Sequence, residues 1–525
     1  MIFALPPRPP FVALLLLLGL LAVTAESFVK VDARTIKKEL KANLGRGPRV
    51  AIIGAGMAGL SAAKRLHELG IRDVTIFEAL DRVGGRIHSV EYFGGYLQHG
   101  AQYINGDANP IYKIASGLGV VSGVFGDLEH LDNPRFLQGD CDVEESDIEL
   151  WRKFTKPLDP LYRKIAREET SSRRYSIYDV YQADYLHFLR ENNVTSFRRR
   201  AAFDALSLIF RSYWEFEWAS DWKDQSLRNL ADFNDKGPIG ESYSTDKIGY
   251  KAIIDHIRLG MGNARLALNS PVVNIRYDDP EHVWVTTETK YGTHKSAFDY
   301  VISTVSLGHL KKYHKTLFTP PVGRFTKKVI EKIGFGGSTK VFLRWKNPFW
   351  KEDDKSLATL SVKGCNGNDD SVDPFESEIT TMQPLDWEPN TLILWIAGRG
   401  QKIFDNMEDD EVAARTTNFI RKLMKNSTIE GPELVTRSRL TKNEYLLGSY
   451  SYISIGQARE RILHSDLSIP LKFGGRPRVL FAGEATHHRL FETAIGAYLS
   501  GRREVDRLAA DWTIAAAGHA RGRPP

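Results

Sequence analysis

The stretch that decides the fold spans residues 49–59 and reads RVAIIGAGMAG. Its first half, Arg49–Ile53, is a short run rich in β-branched side chains, which predicts a buried parallel strand. The glycine-rich turn Gly54–Gly59 follows at once, and apolar residues at helical spacing run from Leu60 to Leu69. Gly70 stands where a helix of this kind usually ends. The stretch therefore predicts a strand, a tight turn and a helix.

A second predicted strand, Asp73–Phe77, ends on Glu78, which is 19 residues beyond the last glycine of the turn. Glycines in such a turn let the backbone approach a pyrophosphate closely, and the helix N-terminus stabilises its charge. The acid after the second strand accepts hydrogen bonds from a ribose diol. Strand, turn, helix and acid together predict nucleotide binding. The residues predicted to contact the nucleotide are Gly54, Gly56, Ala58, Gly59 and Glu78.

The composition of the 525-residue chain is that of an ordinary globular protein, with 42% hydrophobic and 26% charged residues. This excludes a mostly disordered chain, a disulfide-dense mini-protein and a polytopic membrane protein. The 71 basic and 65 acidic residues give a net charge of +6, and no run of five Lys or Arg occurs. We therefore expect no nucleic-acid partner. The sequence also lacks CxxC, zinc-ligand spacing and HExxH, so no metal site is predicted.

The first 25 residues have the features of a secretory signal peptide. Residues 11–23 read FVALLLLLGLLAV, thirteen apolar or glycine positions, whereas a membrane-spanning helix needs about 20. Small residues before Glu26 offer a cleavage site. We expect a secreted, extracellular glycoprotein without a stable membrane span, with an uncleaved anchor as the alternative.

Two further features bear on the secretory pathway. Asn193 and Asn426 stand in glycosylation sequons. Cys141 and Cys365 could form one disulfide, which the sequence leaves open.

The rest of the chain does not repeat the nucleotide-binding unit. Helical spacing dominates residues 151–240, a terminal helix is predicted for 494–512, and the tail at 513–525 is predicted to be unfolded. Strand character is found in residues 266–305, 338–346, 391–397 and 479–482. This pattern predicts an α/β fold, in which a Rossmann-type domain is interleaved with an α+β second domain of mixed sheet and helices.

Further motifs follow in a fixed order along the chain. They are Asp81–Arg86 (DRVGGR), Gln98–Gly106 (QHGAQYING), Lys340, Gly448–Tyr452 (GSYSY) and Phe481–Thr486 (FAGEAT). With these motifs the chain resembles the flavin-containing amine oxidases, in particular the polyamine oxidase and spermine oxidase branch, from about Pro48 to Leu508. The resemblance implies an FAD-binding domain of residues 46–130, 240–320 and 475–512. It implies a substrate-binding domain of residues 131–239 and 321–474.

The resemblance also implies a reaction. Such an enzyme oxidises a C–N bond of a polyamine (spermine, spermidine or an acetylated form) by hydride transfer to flavin N5, and O2 is reduced to H2O2. The products are an aldehyde and an amine. Monoamine oxidases attach flavin to a cysteine near the Tyr-Ser-Tyr strand; Ser449 stands there, so non-covalent FAD is expected. A secreted flavoprotein that has lost oxidase activity and an L-amino acid oxidase-like enzyme are alternatives, although no arginine for a substrate carboxylate could be assigned. The oligomeric state is left open.

Family motifs suggest roles for individual cofactor-binding residues. Arg86 resembles the phosphate partner of the GGR motif, and Glu484 resembles a second acid near the ribityl or pyrophosphate region. Val272 matches a position whose backbone contacts the adenine. Gly100 and Ala101 belong to the QHGAQ motif, and Thr493 and Ala494 match the start of a helix beneath the flavin ring.

Lys340 is the catalytic candidate, since the matching lysine in relatives holds a water against flavin N5; an outward-facing strand lysine is the alternative. The substrate candidates are Asn105, Glu217 and Tyr450. Core packing would also explain Tyr450, which is expected to share a strand face with Tyr452, and a solvated helix face would explain Glu217. The chain departs from the family pattern at Asn105, at Leu440 and at Ile495.

Overall fold

The computed structural model describes residues 47–126, 134–140, 143–234, 241–364 and 372–521. The predicted signal peptide at 1–25, Cys141 and Cys365 lie outside the described residues. The predictions that concern them therefore stay predictions.

The strands are numbered in chain order. They are β1 (Val50–Ile53), β2 (Val74–Phe77), β3 (Ser89–Tyr92), β4 (Gly95–Gln98), β5 (Ile104–Asn105), β6 (Val121–Gly126), β7 (Arg135–Leu137), β8 (Glu241–Thr245), β9 (Arg265–Ala267), β10 (Val272–Arg276), β11 (Val283–Thr289), β12 (Gly292–Phe298), β13 (Tyr300–Ser303), β14 (Phe318–Thr319), β15 (Gly334–Phe335), β16 (Ser338–Arg344), β17 (Leu357–Thr359), β18 (Thr381–Leu385), β19 (Glu388–Ala397), β20 (Leu434–Arg437), β21 (Ser451–Tyr452), β22 (Leu471–Phe473) and β23 (Arg476–Phe481).

The helices are numbered in the same way. They are α1 (Met57–Leu69), α2 (Pro110–Gly117), α3 (Glu145–Thr155), α4 (Leu158–Arg167), α5 (Glu169–Ser172), α6 (Ile177–Glu191), α7 (Phe197–Glu217), α8 (Arg228–Asp232), α9 (Tyr250–Leu259), α10 (Leu307–Leu317), α11 (Arg324–Lys332), α12 (Gly398–Asp405), α13 (Asp409–Met424), α14 (Ile455–Arg459) and α15 (Ala494–Arg521). Three short 3-10 turns are Glu376–Glu378, His464–Ser468 and Glu484–Thr486.

A six-stranded sheet with the order β22-β23-β13-β1-β2-β9 carries the predicted nucleotide-binding unit. Its central strand β1 pairs in parallel with β2 and with β13, and β23 continues the parallel arrangement; only the edge strand β22 runs antiparallel to its neighbour. All four residues of β1 are buried, as expected for a strand covered on both faces. The predicted α/β fold class is confirmed.

Helices α1 and α15 cover one face of this sheet. They contact each other closely, since Ser61 Oγ donates a hydrogen bond to the backbone oxygen of Tyr498 at 2.7 Å. Gly70 caps α1 in the left-handed conformation, with a φ of 86°, as its position in the sequence predicted. The terminal helix continues to Arg521, so the prediction of an unfolded tail from residue 513 is wrong for residues 513–521. The alanines in this stretch are strong helix formers, and Thr513 Oγ1 donates to the backbone oxygen of Ala509 at 2.9 Å.

A second six-stranded sheet, of order β20-β16-β19-β18-β17-β7, is mostly antiparallel. Its strand β16 lies between β19 and β20, and Lys340 on β16 stands opposite Trp395 on β19. The predicted helical region at 151–240 begins within α3 and contains α4 to α8. Apart from the short α5, these helices share a core rich in aromatic residues. Within the described ranges, no helix combines the length and the apolar character needed to cross a membrane.

Candidate active site

The turn between β1 and α1 has the geometry of a nucleotide-binding loop. Gly54 has a φ of +104°, which favours glycine, and a Cβ on Gly59 would lie 1.9 Å from the backbone oxygen of Gly54. Gly56 is the N-cap of α1; no side chain caps this end, and its first turn carries no acidic residue. Such a helix N-terminus favours a bound anion. Gly54, Gly56 and Ala58 line one large cavity, whereas Gly59 allows the close packing of the turn rather than lining the cavity.

Glu78 follows β2 directly, is buried and lines the same cavity. Its Oε2 accepts a hydrogen bond from the N–H of Ala55 at 2.6 Å, and its Oε1 accepts one from the N–H of Leu80 at 2.9 Å. Burial raises the pKa of Glu78, and these two donors together with Arg82 oppose that shift. The two bonds use about half of the acceptor sites of a carboxylate. Glu78 is therefore fixed in place and has acceptor capacity for a diol.

Arg86 and Glu484 form an ion pair that joins two distant motifs. Arg86 Nη1 lies 2.8 Å from Glu484 Oε1 and also donates to the backbone oxygen of Ser449 at 2.9 Å. Glu484 is only 3% exposed, and its Oε2 accepts from Ser451 Oγ and, at 2.7 Å, from the N–H of Glu492. Burial alone would raise the pKa of Glu484, but Arg86, Ser451 and the N–H of Glu492 hold it below the ordinary value. Both residues line the cavity.

The other predicted cofactor-binding residues lie on the wall of this cavity too. They are Gly100, Ala101, Val272, Thr493 and Ala494. Val272 begins β10, and Ala494 begins α15. Thr493 Oγ1 accepts a hydrogen bond from the N–H of Gly496 at 2.9 Å and donates to the backbone oxygen of Leu490 at the same distance, which fixes the first turn of α15. This helix thus begins at the cavity with its positive end.

Lys340 is a buried cavity residue, so the alternative of an outward-facing strand lysine is wrong. Its Nζ donates to the backbone oxygens of Gln98 and Gly100 at 3.0 and 2.7 Å, and to Oε1 of Gln102 at 2.8 Å. Nζ also lies 4.8 Å from the ring centroid of Trp395. Burial lowers the pKa of Lys340 well below its ordinary range. The lysine is therefore held between β16 of the second sheet and residues 98–102 at the end of β4.

The three substrate candidates line the same cavity. Asn105 lies on β5, Glu217 is the last residue of α7, and the hydroxyl of Tyr450 donates to the backbone oxygen of Phe216. The strand predicted to carry Tyr450 contains only Ser451–Tyr452, and the hydroxyl of Tyr452 donates instead to Asp224 Oδ2 at 2.5 Å. Of this pair, Tyr450 lines the cavity and Tyr452 does not, so the expected shared strand face is not found.

Two of the three departures from the family pattern face this cavity. Asn105 and Leu440 are among its lining residues. Ile495 is 1% exposed and belongs to the hydrophobic core beside α1. That departure is therefore a packing change, whereas the other two alter the cavity wall.

Sequence reasoning missed several residues of the site. The structure adds Gln102, which holds Lys340, and Trp395, which the strand register places opposite it. Phe216 contacts Trp395 with ring centroids 4.7 Å apart, and Glu492 lines the cavity just before α15. Trp395 lay in a predicted strand, but strand pairing between positions 340 and 395 has no signal in the sequence.

The cavity has a volume of about 360 Å³. Its wall contains cofactor-binding candidates as well as the catalytic and substrate candidates. One part of its wall is the glycine-rich turn with Glu78, and another is built from aromatic side chains around Lys340. The Phe, Tyr and Trp residues that line the cavity are Phe77, Tyr103, Tyr213, Phe216, Tyr250, Trp395, Tyr445 and Tyr450. Among the described residues, no group of three or more His, Cys, Asp or Glu side chains is arranged to hold a metal ion. The site is built for a nucleotide-bearing organic cofactor beside an apolar, partly acidic compartment.

Comparison with known proteins identifies this class of site. The family described as flavin containing amine oxidoreductase matches residues 57–509. Because the match covers most of the chain, the protein belongs to the flavin-containing amine oxidoreductase family. It is an FAD-dependent amine oxidase, and the predicted family and cofactor are confirmed.

Individual relatives resemble the chain along most of its length. The peroxisomal N(1)-acetyl-spermine/spermidine oxidase of Bos taurus is 28% identical over 509 residues, which cover 89% of this chain and 96% of the relative. Polyamine oxidase 1 of Zea mays is 25% identical over 473 residues, 87% of this chain and 89% of that protein. A solved structure of putrescine oxidase bound to putrescine has a TM-score of 0.61 at 18% identity, and the alignment covers 88% of this chain and 99% of the other. The last comparison supports the fold alone.

The residues present fit FAD. The uncapped N-terminus of α1 suits the pyrophosphate, and the fixed carboxylate of Glu78 suits a ribose diol. Val272 and the first turn of α15 complete a wall along which an elongated cofactor can lie. Arg86, which the sequence suggested as a phosphate partner, pairs with Glu484, so these two residues form one polar element of the site.

Proposed function

We propose that this enzyme oxidises aliphatic polyamines such as spermine, spermidine or their acetylated forms. The products are an aldehyde, a shorter amine and hydrogen peroxide. The observation that carries the proposal is the compartment beside Lys340, where aromatic rings and the carboxylate of Glu217 line one cavity. Aromatic walls suit the methylene chain of a polyamine, and a carboxylate suits its ammonium groups. The polyamine oxidases among the relatives support the same substrate class.

A flavin held by the turn before α1, by Glu78 and by the first turn of α15 would supply an acceptor for the hydride on the carbon beside the reacting nitrogen and a route for the electrons to O2. The reacting nitrogen must be neutral, because its lone pair assists the departure of the hydride. Aliphatic amines have pKa values near 10.4, so most of the substrate is charged at neutral pH. The chain's part is to bind the charged nitrogens at Glu217 while the aromatic wall surrounds the neutral one. Lys340, fixed by three oxygen acceptors, is placed to position a water for hydrolysis of the imine product.

A panel of amines, with peroxide release as the readout, tests this function. Spermine, spermidine and their N1-acetyl forms should give peroxide, and the yellow holoenzyme should bleach when one of them is added without oxygen. Benzylamine and L-leucine are the matched controls for a monoamine and an amino acid. Bleaching by benzylamine or leucine with none by any polyamine would contradict the proposal.

The amino acid oxidase alternative finds little support in the cavity. Such an enzyme needs a cation for the substrate carboxylate. Of the described lining residues, the one arginine is Arg86, which is paired with Glu484. Lys340 donates to three oxygens of the protein itself. Both cations are thus occupied by protein acceptors, which favours an amine over an amino acid.

We further propose that the protein enters the secretory pathway, on the strength of the N-terminal segment and the two sequons. Asn193 and Asn426 are exposed, as glycan acceptors must be. Expression of the full chain in animal cells should yield a product that begins near Glu26 and carries glycan on one or both asparagines. A cytosolic, unglycosylated product that retains Met1 would contradict this proposal.

A further inference from the structure

Lys340 has three oxygen acceptors and no acidic partner. Its Nζ donates to the backbone oxygens of Gln98 and Gly100 and to Oε1 of Gln102, at 3.0, 2.7 and 2.8 Å. Among the described residues, no carboxylate forms an ion pair with it. An ammonium group has three hydrogens to donate, whereas a neutral amine has two hydrogens and a lone pair. Three oxygens at hydrogen-bond distance therefore match the ammonium form and leave one oxygen without a hydrogen in the neutral form.

Burial opposes the charge of Lys340, and the ring of Trp395 supports it. The lysine is 6% exposed, and burial lowers its pKa. Nζ lies 4.8 Å from the centroid of the Trp395 ring, a position that favours a cation. The charge of Lys340 thus depends on burial on one side, and on three neutral oxygens and an indole ring on the other.

The titratable groups on the segments around Lys340 do not supply a compensating negative charge. They are His99 and His88, Tyr103 and Tyr450, and Arg437 on β20. Burial lowers the pKa of the two histidines, to about 3 and about 4, and raises the pKa of the two tyrosines, so all four are neutral at working pH. Arg437 is paired with Asp409 at 2.5 Å. The three oxygen acceptors therefore carry the stabilisation of the ammonium form.

Two of these acceptors are fixed by the backbone. The N–H of His99 donates to the backbone oxygen of His88 at 2.8 Å, which holds the peptide units on both sides of His99. A Cβ on Gly100 would lie 1.6 Å from the backbone oxygen of Arg86, so this stretch packs directly against its neighbour. Gln102 is the remaining acceptor, and its oxygen belongs to a side chain. It is thus the residue whose identity decides whether the lysine has a third acceptor.

The protonation state decides what Lys340 does. An ammonium group donates to a water and stabilises the negative charge that develops as O2 is reduced, whereas a neutral amine accepts a proton from the substrate. We propose that Gln102 is a positioning residue whose side-chain oxygen keeps Lys340 in its ammonium form. This inference rests on the role that the proposed function gives to Lys340, but it makes no assumption about which amine is oxidised.

The flavin absorbance spectrum of the holoenzyme, titrated from about pH 6 to pH 10 without substrate, tests the inference. A pH-dependent change that Lys340→Met lacks reports the loss of the lysine proton. Gln102→Met keeps the side-chain length but removes the oxygen. The midpoint of the change should therefore fall by about one to two pH units, a tenfold to hundredfold loss of proton affinity. Gln102→Glu places a carboxylate beside Nζ, so the midpoint should rise above the parent value.

The opposite directions separate this role from a purely structural one, which would move both variants the same way. Gln182→Met removes the same amide from α6, none of whose described residues lines the cavity, and should keep the parent midpoint. Flavin absorbance at parent intensity shows that a variant is intact, and either Gln102 variant decides alone if the other fails to bind FAD.

Three results would overturn the inference. They are Gln102 variants with the parent midpoint, midpoints that shift in the same direction, and a parent spectrum that responds to pH as Lys340→Met does. Because the titration uses no substrate, its outcome is independent of peroxide release from polyamines. A parent enzyme that oxidises no polyamine would therefore contradict the proposed substrate, while the midpoints would still decide the role of Gln102.

Discussion

Replacing Arg86 with methionine should destabilise the folded protein and make its stability depend on pH in a new way. Glu484 is 3% exposed, and Arg86 is its ion-pair partner at 2.8 Å. Removing one partner of a buried pair costs about 3–5 kcal/mol, because the remaining charge is left uncompensated. The side chain of Arg86 is 22% exposed, and Ser451 Oγ and the N–H of Glu492 still bond Glu484. We therefore expect a loss of stability at the low end of this range, about 3 kcal/mol at neutral pH.

The pH dependence follows from the carboxyl group of Glu484. In the parent its pKa lies below the ordinary 4.5, so its contribution to stability is present above about pH 4.5 and is lost as the pH falls through the folded value. In the variant, the charge of Arg86 no longer opposes the effect of burial, so the pKa of Glu484 should rise. The variant then gains little from ionisation and loses stability as the pH rises. The difference in the free energy of unfolding between parent and variant should be small near pH 4 and should reach its full size by pH 7.

Urea unfolding of the holoenzyme at a fixed excess of FAD, followed by tryptophan fluorescence from pH 4 to 7.5, measures this difference. The double variant Arg86→Met/Glu484→Gln should recover more than half of the lost stability, since no buried charge remains. Lys327→Met breaks an exposed pair with Glu331 and should cost no more than about 1 kcal/mol at any pH. An Arg86→Met deficit that is equal at all pH values, with no recovery in the double variant, would refute the reasoning.

Three further outcomes are expected. Lys340→Met keeps much of the side-chain stem but deletes the hydrogen-bond donor. Stopped-flow traces should therefore show slower turnover with FAD still bound. Oxidation of polyamine at the parent rate would remove Lys340 from the mechanism. Glu78→Ala should weaken FAD retention about tenfold to hundredfold, the equivalent of a charge-assisted hydrogen bond of about 1.5–3 kcal/mol, as measured by flavin content after dilution into buffers of graded FAD concentration; parent retention at low FAD would contradict the ribose assignment. Acid precipitation should release all of the yellow chromophore into the supernatant, because Ser449 stands where covalent attachment would need a thiol; flavin that remains in the pellet would show a covalent bond elsewhere.

The fold could be predicted from residues 49–78 because its signals are local. The strand, the turn and the helix of this unit follow one another directly, so their spacing can be read from the sequence. The C-terminal tail shows the limit of such reasoning. The Ala-, Gly-, Arg- and Pro-rich composition of residues 513–525 predicts an unfolded segment, whereas α15 extends to Arg521, because alanine is also a strong helix former.

The site residues could be predicted individually but their contacts could not. Arg86 and Glu484 are 398 positions apart, and nothing in either motif shows that one pairs with the other. The acceptors of Lys340 come from residues 98–102, which the packing of β3 and β4 against the second sheet brings beside β16. Glu492 was overlooked because a lone acid between two motifs has no pattern around it; only its place in the cavity distinguishes it from a surface residue.

The order of strands in the parallel sheet has a consequence for how the protein is made. Its central strands come from β1 and β2, then from β13, and finally from β23, which begins at Arg476. At about 5–20 residues per second, the roughly 400 residues between β2 and β23 take on the order of 20–80 s to translate. During that time β13 lacks its outer neighbour, and Glu484 and α15 are missing from the cofactor site. A nascent chain released before residue 494 thus has an incomplete wall for FAD, and the cofactor site is completed only when nearly the whole enzyme has been synthesised.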